Sequence, residues 1–341
     1  MKWGWRVIAL VLLAGVMLAA PWAARTAVVD VKEKLKPEKA AWEGVITVGI
    51  VPSFPTVNVD GWLNACFRGF EKQAGNVLVS LRELTEVGVR TGAAAGTLPD
   101  VLLVGLNVLD DPANYFVCME GETAVREDLR GAGTVEQTRY AVPLAMGGYA
   151  LLGNRRLLDA AGWSPELGFE ETMALLTQKD MAIAAPQMAY TDPAQAFSRM
   201  GESGQVRVDS ERIHSKIWPD FVIEEKYAFY VCTQREIKRM QTLQSAGKGF
   251  ETVLVVPEGG AYTDQVLLGG MVRPELTAVH ADDETDRAEW IGRLFRYLLA
   301  EEQQRELTRA GLFSVKQEEA IYEEGTQMAA LETSLRQVQL P

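Results

Sequence analysis

Few residues in this chain have the type and spacing that would carry out a reaction. The stretch SAGKGFET (245–252) holds the Gly-Lys pair of a phosphate-cradling loop. It lacks the glycine five positions earlier and the Ser or Thr after Lys248 that such a loop requires. GESG (201–204) sets its serine outside the Gly-x-Ser-x-Gly order of a nucleophile elbow. No Gly-x-Gly-x-x-Gly, Cys-x-x-Cys or His-x-x-x-His pattern occurs. Two histidines, His214 and His280, exclude a histidine-rich metal site, and three cysteines exclude a fully paired disulfide framework. The acidic run DDETD (282–286) reads as the start of a helix, where carboxylates complement the dipole, rather than as a catalytic pair. No catalytic residue, metal or cofactor is expected, and the chain is read as a binder rather than an enzyme.

The elements that would position a binding site come next. At 341 residues and 48% hydrophobic content, the chain can form two domains or lobes with ample core. Residues 1–44 carry seven Lys/Arg and four Asp/Glu, while the rest holds 27 basic against 42 acidic residues. So acidic a body repels phosphate backbones, and nucleic acid is excluded as a partner. MKWGWR followed by the uncharged run VIALVLLAGVMLAAPWAA (7–24) is an export signal. Pro21 and Trp22 spoil the cleavage positions, and Trp3, Trp5 and Trp22 flank the run as interfacial aromatics do. A signal-anchor crossing the membrane is therefore favoured over a cleaved peptide. Export would place the chain on the extracellular face of the cytoplasmic membrane, and leaves a Cys66–Cys118 bridge open. Cys66 and Cys232 otherwise read as small buried hydrophobes.

Residues 26–44 read as a charged stem, and VITVGIVP (45–52) as a buried strand. GWLNACFRGFEKQAG (61–75) places Leu63, Cys66, Phe67 and Phe70 on one helix face. NVLVSLREL and LPDVLLVG (98–105) are further strands, so a largely parallel α/β sheet is predicted, with ligands at the carboxyl ends of its strands. GFEETMALLTQ (168–178), REIKRMQTLQSAGKG (235–249) and residues 285–307 read as helices; MAIAAP (181–186), KYAFYVCT (226–233) and FETVLVVP (250–257) read as strands. In YAVPLAMGGYALLGNRRLLDAAGWSP (140–165) two glycines interrupt an apolar run. A bulge, a close approach of neighbouring atoms, or a bend between two halves would each explain them.

Several segments, in order, resemble the extracellular solute-binding proteins of ABC importers, the maltose-binding-protein-like family 1 with sugar-type ligands. WLNACFRGFEKQAG resembles that family's first helix, AAAGTLPDVLLVG its "small-Gly-x-x-Pro-Asp-Val" strand, and the 140–165 stretch its hinge strand and following turn. GFEETMALL, VLVVPEGG and DRAEWIGRLFRYLLAEEQQRELTRAGLFSV resemble later segments of the same family. The resemblance implies an α/β, two-lobed periplasmic-binding-protein-like fold of type II behind an N-terminal signal or anchor helix (1–25) and the stem (26–44). It implies an N-lobe of 45–146 plus 260–310 and a C-lobe of 147–259 plus 311–341. Chain crossings fall near 141–148, 255–259 and 312–315, with Pro143, Gly147, Gly148, Pro257 and Gly259 as hinge residues.

The implied function is capture of a small polar solute, a carbohydrate first, by a monomer that hands it to ABC permease subunits. The alternative is an envelope-anchored receptor or scaffold with a degenerate cleft. Aromatic faces with a few polar groups bind sugars. The implied ligand residues are accordingly Phe54 and Trp62 after the first strand, Asn107 after the third, and Tyr149 beyond the hinge. Tyr190 and Trp218 in the polar segment, and Tyr262 and Asp264 in the glycine-marked loop, complete the set.

Overall fold

The computed structural model describes residues 42–119, 125–200, 206–210, 213–256, 261–278, 284–316 and 320–341. The 7–24 run, the expected hinge residues Pro257 and Gly259, and His280 lie outside the described residues. No helix among the described residues is long and apolar enough to cross a membrane.

The first strand, Gly44–Ile50, buries Ile46, Val48 and Ile50 and ends ahead of Pro52. Helix Val59–Ala74 follows. Asn58 accepts the Gly61 N–H at its start, Leu63, Cys66, Phe67 and Phe70 are buried along one face, and Gly75 closes it at φ 78°. That conformation is open to glycine and strained for other residues. The buried stripe is the one read from the 3.6-residue period.

Five strands form the first sheet, in the order Val77–Glu83, Gly44–Ile50, Val101–Gly105, Val266–Met271, Val142–Met146. The first three are parallel. Val266–Met271 is antiparallel to both of its neighbours, which corrects the expectation of a largely parallel sheet. The reason is topological: this strand enters from the second sheet's side of the molecule, so it runs against the strands linked by local helices. The second sheet has the order Thr252–Val255, Tyr149–Asn154, Phe229–Thr233, Ile183–Ala184, Val208–Asp209. Its strand Tyr149–Asn154 is antiparallel on both sides.

The two sheets mark two lobes, and the chain passes between them repeatedly. Met146 ends a strand of the first sheet and Tyr149 begins one of the second, so Gly147 and Gly148 form the crossing. The return runs from Val255 to Val266. Phe313 then pairs with Met146, and helix Gln327–Ser334 lies against the second lobe, Gln327 reaching the Thr252 hydroxyl at 3.2 Å. Strand Val338–Gln339 finally pairs with Ala261–Tyr262.

Two elements depart from the sequence reading. The helix expected over 285–307 runs from Glu284 to Leu298, breaks at Ala300 with ψ 146°, and restarts as Glu301–Arg305. Pro143 does not end its strand, which continues to Met146. That strand lies at the sheet edge, where a residue without an N–H is tolerated.

Candidate functional site

The crossing is held by a buried polar network. Gln234, the first residue of helix Gln234–Ser245, accepts the Gly148 N–H at 3.0 Å and donates to the Pro55 carbonyl at 2.5 Å and to Gln265 Oε1 at 3.0 Å. The Gly147 N–H bonds the Gln265 carbonyl at 2.7 Å, and Thr263 Oγ1 donates to the Gly147 carbonyl at 2.9 Å. Thr263, Gln234 and Gln265 are fully buried. A Cβ on Gly147 would sit 2.5 Å from both Gln234 Nε2 and Gln265 Oε1, and one on Gly148 would sit 2.6 Å from Leu335. Of the three explanations for the glycine pair, close approach is observed at both positions, and the pair also stands where the chain passes between the two lobes. The register shift in the strand pairing lies opposite Leu267 and Leu268, away from the glycines.

Between the strand ends of the two sheets lies a cavity of about 680 Å³, with Asn107, Tyr190, Gln195, Tyr262 and Asp264 among its lining residues. A second, of about 570 Å³, is lined by Ser53, Phe54 and Thr56 from one lobe and His214, Ser215 and Arg235 from the other. The segment 187–191 borders both cavities. It is tied across the cleft, because Asn107 Nδ2 donates to the Tyr190 carbonyl at 3.1 Å and the Asp192 N–H donates to Asp264 Oδ2 at 2.8 Å.

Of the residues the resemblance implied, Asn107, Tyr190, Tyr262 and Asp264 line the larger cavity, and Phe54 and Tyr190 the smaller. Tyr262 donates its hydroxyl to Gln195 Oε1 at 2.6 Å, and the Arg199 guanidinium stacks 4.8 Å from its ring. Burial, with the Asp264 carboxylate adding to it, pushes the Tyr262 hydroxyl up to about 12, so it stays a donor. Burial and then Glu86 raise that of Tyr190.

Three expected ligand residues are corrected. Tyr149 is 1% exposed within the second lobe's core and donates to Asp264 Oδ1 at 2.6 Å, so it faces protein and not the cleft. Trp62 is buried against the first lobe and donates its indole N–H to the Gln303 carbonyl at 3.0 Å. Trp218 is buried edge-on to Tyr230 and stacked with His214 at 6.1 Å. In each case a large ring is worth most where it excludes most water, which is the core. Asp264 has both oxygens engaged by the protein, and burial raises its pKa against the opposing pull of the Tyr149 hydrogen bond.

Sequence reasoning missed His214, Arg235 and Ser53. Arg235 stands two residues beyond the end of strand Phe229–Thr233, and the rule placing ligands at carboxyl ends of strands points there. Beneath it lies Glu236, wholly buried: Oε1 takes His214 Nε2 at 2.9 Å and Arg235 Nε at 2.8 Å, and Oε2 takes the Thr233 N–H at 3.0 Å and hydroxyl at 2.5 Å. Burial alone would raise its pKa; the His214, Arg235 and Thr233 contacts outweigh it and hold the carboxyl at about 2. The Cys66–Cys118 bridge left open by export is absent: Cys66 and Cys232 are buried thiols and Cys118 is an exposed one.

No family model matches the sequence, and no curated protein matches it. Solved structures do resemble the chain. The GacH receptor of Streptomyces glaucescens, solved unliganded and with acarbose, is 16% identical at TM-score 0.58, over 86% of this chain and 87% of that one. The cyclic alpha-maltosyl-1,6-maltose binding protein of Arthrobacter globiformis is 16% identical at TM-score 0.60, over 88% of both chains. The sugar-binding protein MalE of Xanthomonas citri is 17% identical at TM-score 0.58, over 87% of this chain and 86% of that one. These likenesses establish the class of fold: a two-lobed, periplasmic-binding-protein-like α/β structure.

Proposed function

We propose that this chain is an extracellular solute-binding protein that captures a small polar solute, a carbohydrate, between its lobes for an ABC importer. The observation that carries the reading is the cavity of about 680 Å³ at the strand ends of both sheets, lined by two tyrosines and by amide side chains. Tyrosine faces with a few polar groups suit sugar rings and hydroxyls. Proteins solved with this fold are in keeping with it: the GacH receptor was solved with acarbose, and the Arthrobacter and Xanthomonas proteins bind sugars. The strands that cross between lobes would let the cleft open and close by a hinge motion. The apolar run 7–24 would anchor a monomer to the outer face of the cytoplasmic membrane, next to its permease.

Thermal unfolding of the full-length protein against sugars, polyols and peptides tests the reading. A ligand at about 100 times its Kd adds ~2.7 kcal/mol of stability. A flat response across the panel overturns the importer reading and favours a receptor or scaffold. Fractionation with and without detergent tests the anchor.

A further inference from the structure

The geometry points to the smaller cavity as an anion subsite, so that the captured solute bears a carboxylate or phosphate group seated between Ser53, His214 and Arg235. The inference rests on the solute-capture reading and adds a substrate class to it.

Four observations converge on this cavity of about 570 Å³. First, among the described residues its lining contains an arginine and a histidine and no carboxylate, whereas the neighbouring cavity is lined by Asp192 and Asp264. The contrast holds within a body that is strongly acidic overall.

Second, Arg235 is poised. Its Nε is spent on Glu236 at 2.8 Å, which fixes the plane of the guanidinium, while its two terminal nitrogens have no protein partner among the described residues. A fixed guanidinium fork with free terminal N–H groups is the preferred receptor for a planar carboxylate or a phosphate. His214 is oriented by the same buried carboxylate, at 2.9 Å, and by stacking on Trp218.

Third, two helices begin at this cavity. Helix His214–Val222 has no side-chain cap at its start, and its first two residues, His214 and Ser215, line the cavity. Helix Gln234–Ser245 contributes the Arg235 side chain from its first turn, its own start being capped already by Thr233 and Glu236, so the open N–H groups are those of the first helix. N–H groups at helix starts lack intrahelical acceptors and favour negative charge.

Fourth, Ser53 lies across the cleft from these groups, 6% exposed, and its buried hydroxyl, packed beside Gly105, has no hydrogen-bond partner among the described residues. A buried hydroxyl without a partner is destabilising, and an acceptor brought in by a ligand would satisfy it. Glu236 offsets the charge of Arg235, but it is fully buried with its two oxygens turned to His214, Arg235 and Thr233, so an entering group meets N–H and O–H donors and not that carboxylate.

The test is isothermal titration calorimetry of the full-length protein with D-glucuronate, D-glucose 6-phosphate and D-glucose. The first two share the anionic group and separate carboxylate from phosphate. One of them is expected to bind at least about tenfold tighter than glucose, as a charge-assisted hydrogen bond warrants. That preference should weaken with added salt. Arg235→Gln should abolish it and Arg235→Lys should restore part of it. Arg235→Gln leaves Glu236 short of a partner, so Ser53→Ala supplies a second variant whose fold is not at risk; it too should reduce the anion-to-glucose affinity ratio.

Equal affinity for glucose and both anions overturns the anion subsite and leaves solute capture standing. So does a preference that survives both Arg235→Gln and Ser53→Ala. No heat with any of the three, together with a flat thermal panel, overturns both readings.

Discussion

The crossing at Gly147 offers the sharpest test of how the two lobes are joined. Gly147→Ala adds one methyl group, and its carbon would lie 2.5 Å from Gln234 Nε2, 2.5 Å from Gln265 Oε1 and 2.8 Å from Gln234 Oε1. All three atoms belong to fully buried side chains, and their amides bond each other, the Gly148 N–H and the Pro55 carbonyl. The methyl cannot be accommodated without driving the amides apart. Overpacking of that kind costs about 1–3 kcal/mol, and each buried hydrogen bond broken adds about 1 kcal/mol. The expected loss is therefore about 2–4 kcal/mol, a large share of a typical folding free energy of ~5–15 kcal/mol. Urea unfolding followed by circular dichroism, at unchanged m-value, reads the effect directly. Gly131→Ala is the control, since nothing lies within 4 Å of its added carbon. If Gly147→Ala unfolds within about 0.5 kcal/mol of the parent, the glutamine network does not clasp the crossing, and the close-approach account of the glycine pair is wrong.

Further outcomes follow from the same contacts. Tyr149→Phe removes the hydroxyl bonded to buried Asp264 at 2.6 Å and should cost about 1–3 kcal/mol in urea unfolding, with no cavity left behind. Glu236 binds its proton more weakly in the folded state, at about 2 against 4.5, than in the unfolded chain. Its contribution to stability is present above 4.5 and is lost as pH falls toward 2; Glu236→Gln should flatten that part of the pH–stability curve. Burial pushes the Cys66 thiol up to about 12 and raises that of Cys232 too, while Cys118 is exposed. A thiol reagent should therefore modify one cysteine per native chain and three after denaturation.

Much of the architecture was legible because its signals are local. The stripe Leu63, Cys66, Phe67, Phe70 needs only the helical period, whereas the helix starts at Val59 behind its Asn58 cap, two residues before the start read from the sequence. The break at Ala300 was not legible, because residues on either side continue a helical pattern and only the turn's dihedrals interrupt it. Nor was the mixed sheet, since the direction of Val266–Met271 depends on which lobe the chain is returning from.

The cleft divides in the same way. Phe54, Asn107, Tyr190, Tyr262 and Asp264, candidates that the resemblance implied, line its two cavities. Tyr149 could not be excluded from it, because what claims its hydroxyl is Asp264, 115 residues later. Arg235 looked like one more charge on an amphipathic helix until tertiary structure set it beside His214 and across from Ser53, 182 positions away in the chain. By itself the sequence determined the alternation of strands and helices, the acidic body and the need for glycine at 147 and 148. Only the tertiary structure decided why: spacing records which residues share a face, whereas the neighbours that crowd Gly147, bury Tyr149 and orient Arg235 arrive from distant parts of the chain.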